Sequence, residues 1–162
     1  MEQSLTALSQ SVGERLRARG AQVTCAESCT GGLIAKLLTD IVGSSYYFER
    51  GFVTYSNRAK EEMLGVPGSE LTQHGAVSEP VVAAMAVGAL HAAQADLAMA
   101  VSGIAGPDGG SAQKPVGTVW FGFVARGGEP LCLRRNFAGD RDAVRRQAAQ
   151  FALRTLLEKF LM

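Results

Sequence analysis

Apolar residues recur at helical spacing at Leu5, Leu8, Val12 and Leu16, which predicts an amphipathic helix over residues 4–18 ended by Gly20. Residues 22–26 are a short strand candidate, and Leu33, Ile34, Leu37, Leu38 and Ile41 form a second helical stripe. Between them Ser28, Thr30, Gly31 and Gly32 make a polar strand-to-helix turn. The run YYFERGFVTY (46–55) is aromatic and β-branched and predicts a strand. Ser56 or Asn57 can cap a short helix through Lys60 to Leu64, which the Gly-Val-Pro-Gly of 65–68 stops. Ser78, Glu79 and Pro80 offer a cap, an acid and a first-turn proline to an alanine-rich helix reaching Ala93.

Residues 96–102 (DLAMAVS) are almost continuously apolar, as a central strand buried on both faces would be. A glycine-rich loop over 103–117 leads into a strand at 116–125, a turn at Gly127 and Gly128, and a hairpin partner at 131–137. Asp140 caps a closing helix with Val144, Ala148, Ala152, Leu156 and Phe160 on its inner face. The order α-β-α-β-α-α-β-β-β-α fits an α/β protein, a three-layer α/β/α sandwich around one mixed sheet. No linker divides the chain, so residues 1–162 are expected to form a single domain.

Composition narrows the class. Hydrophobic residues at 47% and charged residues at 19% describe an ordinary globular chain, long enough to fold without disulfides or metal. Net charge is +1, and the arginines at 134, 135, 141, 145 and 146 are broken by Asp140 and Asp142, so nucleic acid is not the expected partner. The odd, sparse cysteines Cys25, Cys29 and Cys132 suit a reducing compartment. Cys25 and Cys29 have the wrong spacing for a zinc knuckle, and with His74 and His91 the only histidines no metal site is expected. The first residues lack a basic and apolar signal, and the longest apolar run, 81–90, is about half a membrane span. A cytoplasmic protein without membrane attachment is expected.

Glycine and polar residues gather where strands end, at 26–32, 55–60, 102–117 and 139–141, and ligands of open α/β sheets gather there too. Ser28 on a strand-to-helix turn would present its hydroxyl beside unhindered N–H groups able to hold an oxyanion. Alternatively Ser28 or Thr30 only caps the helix, and Cys29 is an equally placed nucleophile. A serine nucleophile needs a base. His74 has no evident carboxylate partner and His91 falls in an alanine-rich helix. Lys60, in the first turn of its helix, has a pKa lowered by the helix dipole. Reaching neutrality near pH 7 takes about 4 kcal/mol, of which the dipole gives at most about 2, so burial must supply the rest. The plain alternative is a solvated lysine beside Glu61 and Glu62. The 102–110 loop either lines a ligand or is a long turn, and Arg141 after Asp140 suits a phosphate or carboxylate, or else an exposed ion pair.

Taken together, AESCTGG (26–32), FERGFVTYSN (48–57), Lys60, HGAVSEP (74–80), VSGIAGPDGG (101–110), KPVGTVWF (114–121) and GDRDAVR (139–145) resemble the CinA C-terminal domain family. They are most similar to its stand-alone branch, the nicotinamide-nucleotide amidohydrolases of the PncC type. The resemblance runs nearly end to end without a large insertion. It implies an α/β/α domain, commonly a homodimer, that converts nicotinamide mononucleotide to nicotinate mononucleotide and ammonia in pyridine-nucleotide recycling. It places the catalytic serine on Ser28 and the lysine base on Lys60, with Tyr55 in the site beside them as a proton relay. Thr30, Gly31 and Gly32 fall on the turn around the serine, Ser102, Gly103 and Gly106 on the ligand-lining loop, and Arg141 on a phosphate-side or supporting position. The oxyanion donors are either near 30–32 or in the loop after Ser102. No cofactor or metal is implied. The N-terminal domain of full-length CinA proteins is not in this sequence, and its activity is not expected. Two other readings stay open, a non-catalytic nucleotide-binding module and an amidohydrolase of another small amide.

Overall fold

A computed structural model describes residues 2–162. Its elements are α1 (Glu2–Arg19), β1 (Val23–Glu27), α2 (Leu33–Thr39), a 3-10 turn (Ser44–Tyr46), β2 (Phe52–Val53), α3 (Asn57–Leu64), α4 (Gly68–His74), α5 (Glu79–Ala93), β3 (Leu97–Gly103), β4 (Thr118–Ala125), β5 (Leu131–Asn136) and α6 (Arg141–Phe160). The strands form one sheet in the order β2-β1-β3-β4-β5. β1 runs parallel to β2 and β3, whereas β4 is antiparallel to β3 and β5, so the sheet is mixed.

Strand alternation divides the core into two layers. Leu97, Met99 and Val101 of β3 join Val12, Leu16, Ile34, Leu38, Val144 and Leu153 on the α1, α2 and α6 side. Ala98 and Ala100 of the same strand face Val82, Met85, Ala86 and Ala89 of α5, with Leu64 of α3 and Leu71 of α4 beyond. Small residues on both surfaces let α5 lie close to the sheet. β3 is buried along nearly its whole length, as its apolar run predicts. The result is the expected three-layer α/β/α sandwich.

Two local expectations fail. Residues 46–55 are not one strand, since only Phe52 and Val53 pair with Ala26 and Glu27. The aromatic residues before them pack instead. Tyr47 is buried against Gly13 of α1, and Arg17 stacks 4.0 Å from the centre of the Tyr46 ring. Residues 65–68 do stop α3, but the sequence hides α4, which begins at once with Pro67 as its leading residue and has Leu71 as its one buried side chain. A single anchor leaves no periodicity to detect. The caps are mostly as expected, with Ser56 Oγ accepting from Ala59 N and Asp140 Oδ1 from Ala143 N. Ser78 leads α5, but its hydroxyl donates to Gly75 O.

Candidate active site

β1 and β3 are parallel neighbours, so their C-terminal ends meet at one edge of the sheet. Ser28 follows β1 directly, its N–H donating to Val101 O at 3.0 Å, and Ser102 and Gly103 end β3. A cavity of about 270 Å³ opens here, at the small end of ligand pockets (about 300–1,000 Å³). Ser28, Lys60, Ser102 and Gly103 line it, with Tyr55 and Arg141 also contributing. Ala76, Val77 and Ala105 supply apolar wall that the sequence reading did not single out as site residues. The segment HGAVSEP held the signal, a glycine-bounded stretch leading into a capped helix.

Ser56 starts α3 so that Lys60 turns inward rather than toward Glu61 and Glu62, and Lys60 has no exposed surface. Its Nζ lies 3.0 Å from Ser28 Oγ, 2.8 Å from Thr54 O and 3.2 Å from Tyr55 O. Burial brings its pKa from 10.5 down to about 8. About one lysine in ten is then neutral at pH 7. A neutral amine keeps two N–H groups for the Thr54 and Tyr55 carbonyls and turns its lone pair to the serine hydroxyl, so this geometry fits a base.

The turn after Ser28 is built by residues outside the cavity. Neither Ser28 nor Thr30 caps α2. Glu27, fully buried, accepts from Gly32 N (3.1 Å), Ile34 N (3.0 Å) and Ala35 N (2.9 Å) and takes the capping place. Gly31 and Gly32 carry φ of 59° and 106°, values that side chains resist, and allow the chain to reverse over Glu27. Gly31 N donates to Ser28 O at 3.1 Å. The N–H groups of Gly31 and Gly32 are therefore committed inside the turn, which removes them as oxyanion donors. Thr30 is fully buried and, like the two glycines, shapes the turn rather than the cavity wall.

Arg141 opens α6 and spans the cavity mouth, donating from Nη1 to Gly106 O (2.8 Å) and from Nη2 to the Tyr55 hydroxyl (3.1 Å). Gly106 thus holds the arginine and does not line the cavity. Tyr55 is 63% exposed, and only its carbonyl meets Ser28 and Lys60. Its hydroxyl is engaged with Arg141, and Lys60 Nζ lies within hydrogen-bond distance of Ser28 Oγ without it, so the geometry offers no Tyr55 relay.

Cys29 also lines the cavity, but burial pushes its thiol up to about 12, the reverse of an activated nucleophile. His74 does have a carboxylate nearby, Glu70 at 3.8 Å one turn earlier, on the surface. His91 lines a separate recess of about 560 Å³ with Gln94 and Arg126. That recess lies by Ala95, at the opposite end of β3 from Ser102. Among the described residues no group of three His, Cys, Asp or Glu side chains could hold a metal ion, and no helix is long and apolar enough to cross a membrane.

Several known bacterial proteins are similar to this chain in sequence and in shape. The nicotinamide-nucleotide amidohydrolase PncC of Escherichia coli strain K12 is 64% identical over 160 residues, covering 99% of this chain and 97% of its own. The PncC of Pseudomonas putida is 54% identical over 154 residues, covering 95% and 96%. The crystal structure of the competence/damage inducible protein CihA from Agrobacterium tumefaciens superposes with a TM-score of 0.93 at 45% identity, covering 95% and 94%. Residues 5–160 match the family described as the CinA C-terminal domain, and the chain belongs to that family.

Proposed function

We propose that this chain, acting as one domain, is a nicotinamide-nucleotide amidohydrolase that converts nicotinamide mononucleotide to nicotinate mononucleotide and ammonia. Its likeness over nearly the whole chain, at 64% and 54% identity, to enzymes of that name supports the reaction and the substrate. One observation carries the chemistry: a buried, pKa-lowered Lys60 lies 3.0 Å from Ser28 Oγ at the cavity. Ser28 attacks the carboxamide carbon and passes its proton to neutral Lys60. The C–N bond then breaks, and the leaving nitrogen takes that proton and departs as ammonia. Water repeats the attack on the acyl-enzyme, with Lys60 again as base. The pyridinium charge of the substrate makes its carbonyl more electrophilic, and Arg141 at the mouth suits the phosphate end. Protein groups and water suffice, with no cofactor. The enzyme works in the cytoplasm in pyridine-nucleotide recycling, as a homodimer, and light scattering of the purified chain tests the dimer.

The deciding experiment measures ammonia release from nicotinamide mononucleotide by the wild type and by Ser28→Ala. Turnover by the wild type alone is expected, with the variant's melting temperature unchanged within a few degrees. Equal rates in both would move the nucleophile elsewhere. A preference for a free amide over the mononucleotide would overturn the substrate.

A further inference from the structure

Arg145 of α6 reaches the turn after Ser28 through two carbonyls. Its Nε donates to Cys29 O at 3.0 Å and its Nη2 to Thr30 O at 3.2 Å. The fit is close, since a Cβ on Gly31 would lie 2.8 Å from Nη2. Peptide units are planar and trans, so holding a carbonyl on one side sends the N–H of the same unit to the other. With Thr30 O on the guanidinium, Gly31 N–H points away from it and donates to Ser28 O at 3.1 Å. That bond fixes the Ser28–Cys29 unit, whose N–H belongs to Cys29, while the bond to Cys29 O holds the unit between the two. Cys29 lines the cavity beside Ser28. Arg145 therefore governs three consecutive peptide planes after the nucleophile.

We propose that Arg145 is a positioning residue for amide hydrolysis, locking these planes so that Cys29 N–H faces the oxygen of the attacked carbonyl. The proposal rests on the amidohydrolase reading above. When Ser28 Oγ bonds to the carboxamide carbon, the carbonyl electron pair moves to oxygen and the hydroxyl proton to Lys60. A donor already aimed at that oxygen stabilises the charge without reorganising, which is where such donors gain their effect. The guanidinium also draws charge from the turn's carbonyls and strengthens its N–H donors. Arg141, one turn earlier on α6, has other partners, Gly106 O and the Tyr55 hydroxyl, so the two arginines act separately.

The test compares wild type, Arg145→Lys and Arg145→Ala with nicotinamide mononucleotide, with and without millimolar guanidinium chloride. In Arg145→Ala, kcat is expected to fall roughly 100-fold, the scale of losing an oxyanion donor, with KM and the pH midpoint of the rate essentially unchanged. Guanidinium should restore part of the alanine variant's rate, and Arg145→Lys should lie between. A kcat within about threefold of wild type, a loss carried by KM, or a moved pH midpoint would each overturn the proposal. Should Arg145→Ala melt below the assay temperature, Arg145→Lys decides, and a wild-type kcat there overturns it. A fluorophosphonate separates this proposal from the substrate assignment. Its labelling of Ser28 forms an Oγ–P bond, expels fluoride and sends the hydroxyl proton to Lys60, using the same donor. Wild type that is labelled but releases no ammonia would sink the substrate and keep the Arg145 test alive. Labelling at equal rates in wild type and Arg145→Ala would overturn the role of Arg145.

Discussion

In the proposed reaction Lys60 meets two opposed demands, because a base must be neutral while its carbonyl partners favour the ammonium. Burial lowers its pKa to about 8, and the sign of that shift fixes two measurements. The base works neutral, so kcat/KM should rise with pH through about 8 and level off above it. A profile flat from pH 6 to about 9 would remove Lys60 from that role. In the unfolded chain the group returns to 10.5, so between pH 8 and 10 the unfolded state holds more protons. Stability therefore rises with pH across that window, and the burial penalty, roughly 3 kcal/mol, is complete below pH 8. Lys60→Met removes the penalty but leaves the Thr54 and Tyr55 carbonyls without their donor, at about 1 kcal/mol each. The variant should be inactive, and its stability relative to wild type should be roughly 3 kcal/mol better at pH 7 than at pH 11. Urea titrations at the two pH values read this, and an identical difference at both would show an unstrained lysine.

At the scale of elements, the turn after Ser28 depends on how α2 begins. Glu27 satisfies three N–H groups there, so Glu27→Ala should cost roughly 3 kcal/mol and lower the melting temperature by about 6–12 °C. A fall of less than a degree or two would mean that water or another group caps the helix equally well. This element also marks how far the sequence could be read. Strands and helices with several buried positions, such as α1, β3 and α6, were visible because one face repeats. The place of Ser28 at a strand end and of Lys60 in a first turn was visible in the same way. Glu27 was not, because its role depends on a buried carboxylate folding back on the N–H groups five to eight residues ahead. The clue was negative: α2 begins after Gly31-Gly32 with no polar cap of its own. Arg145 was hidden for a different reason, since its carbonyl partners lie 115 and 116 residues away and contact of that range leaves no local pattern. The aromatic 46–55 segment misled because packing against α1 and pairing in a sheet draw on the same residue types.

The whole molecule sets the distance between Ser28 and Lys60, because they reach the cavity on different layers. Ser28 is fixed to the sheet through β1, whereas Lys60 rides on α3, which packs on α5. α5 in turn sits on β4, where a Cβ at Gly122 would come within 2.5 Å of Val82 O. At Gly88 of α5, a Cβ would lie 2.0 Å from Leu64 O at the end of α3, one turn beyond Lys60. A backbone atom cannot yield as a flexible side chain can, so Gly88→Ala must push α3 outward. Overpacking of this kind costs roughly 1–3 kcal/mol. The larger effect falls on the reaction, where a misplacement of about 1 Å can cost on the order of 100-fold. Gly88→Ala, remote from the cavity lining, should therefore lower kcat far more than stability suggests, and it should move the pH midpoint of the rate upward as Lys60 gains water. Kinetics across pH 6–10 beside a thermal melt measure both. A variant that melts lower yet keeps its kcat and midpoint would show that the Ser28–Lys60 spacing is set within the turn itself and not by the stacking of α3 on α5.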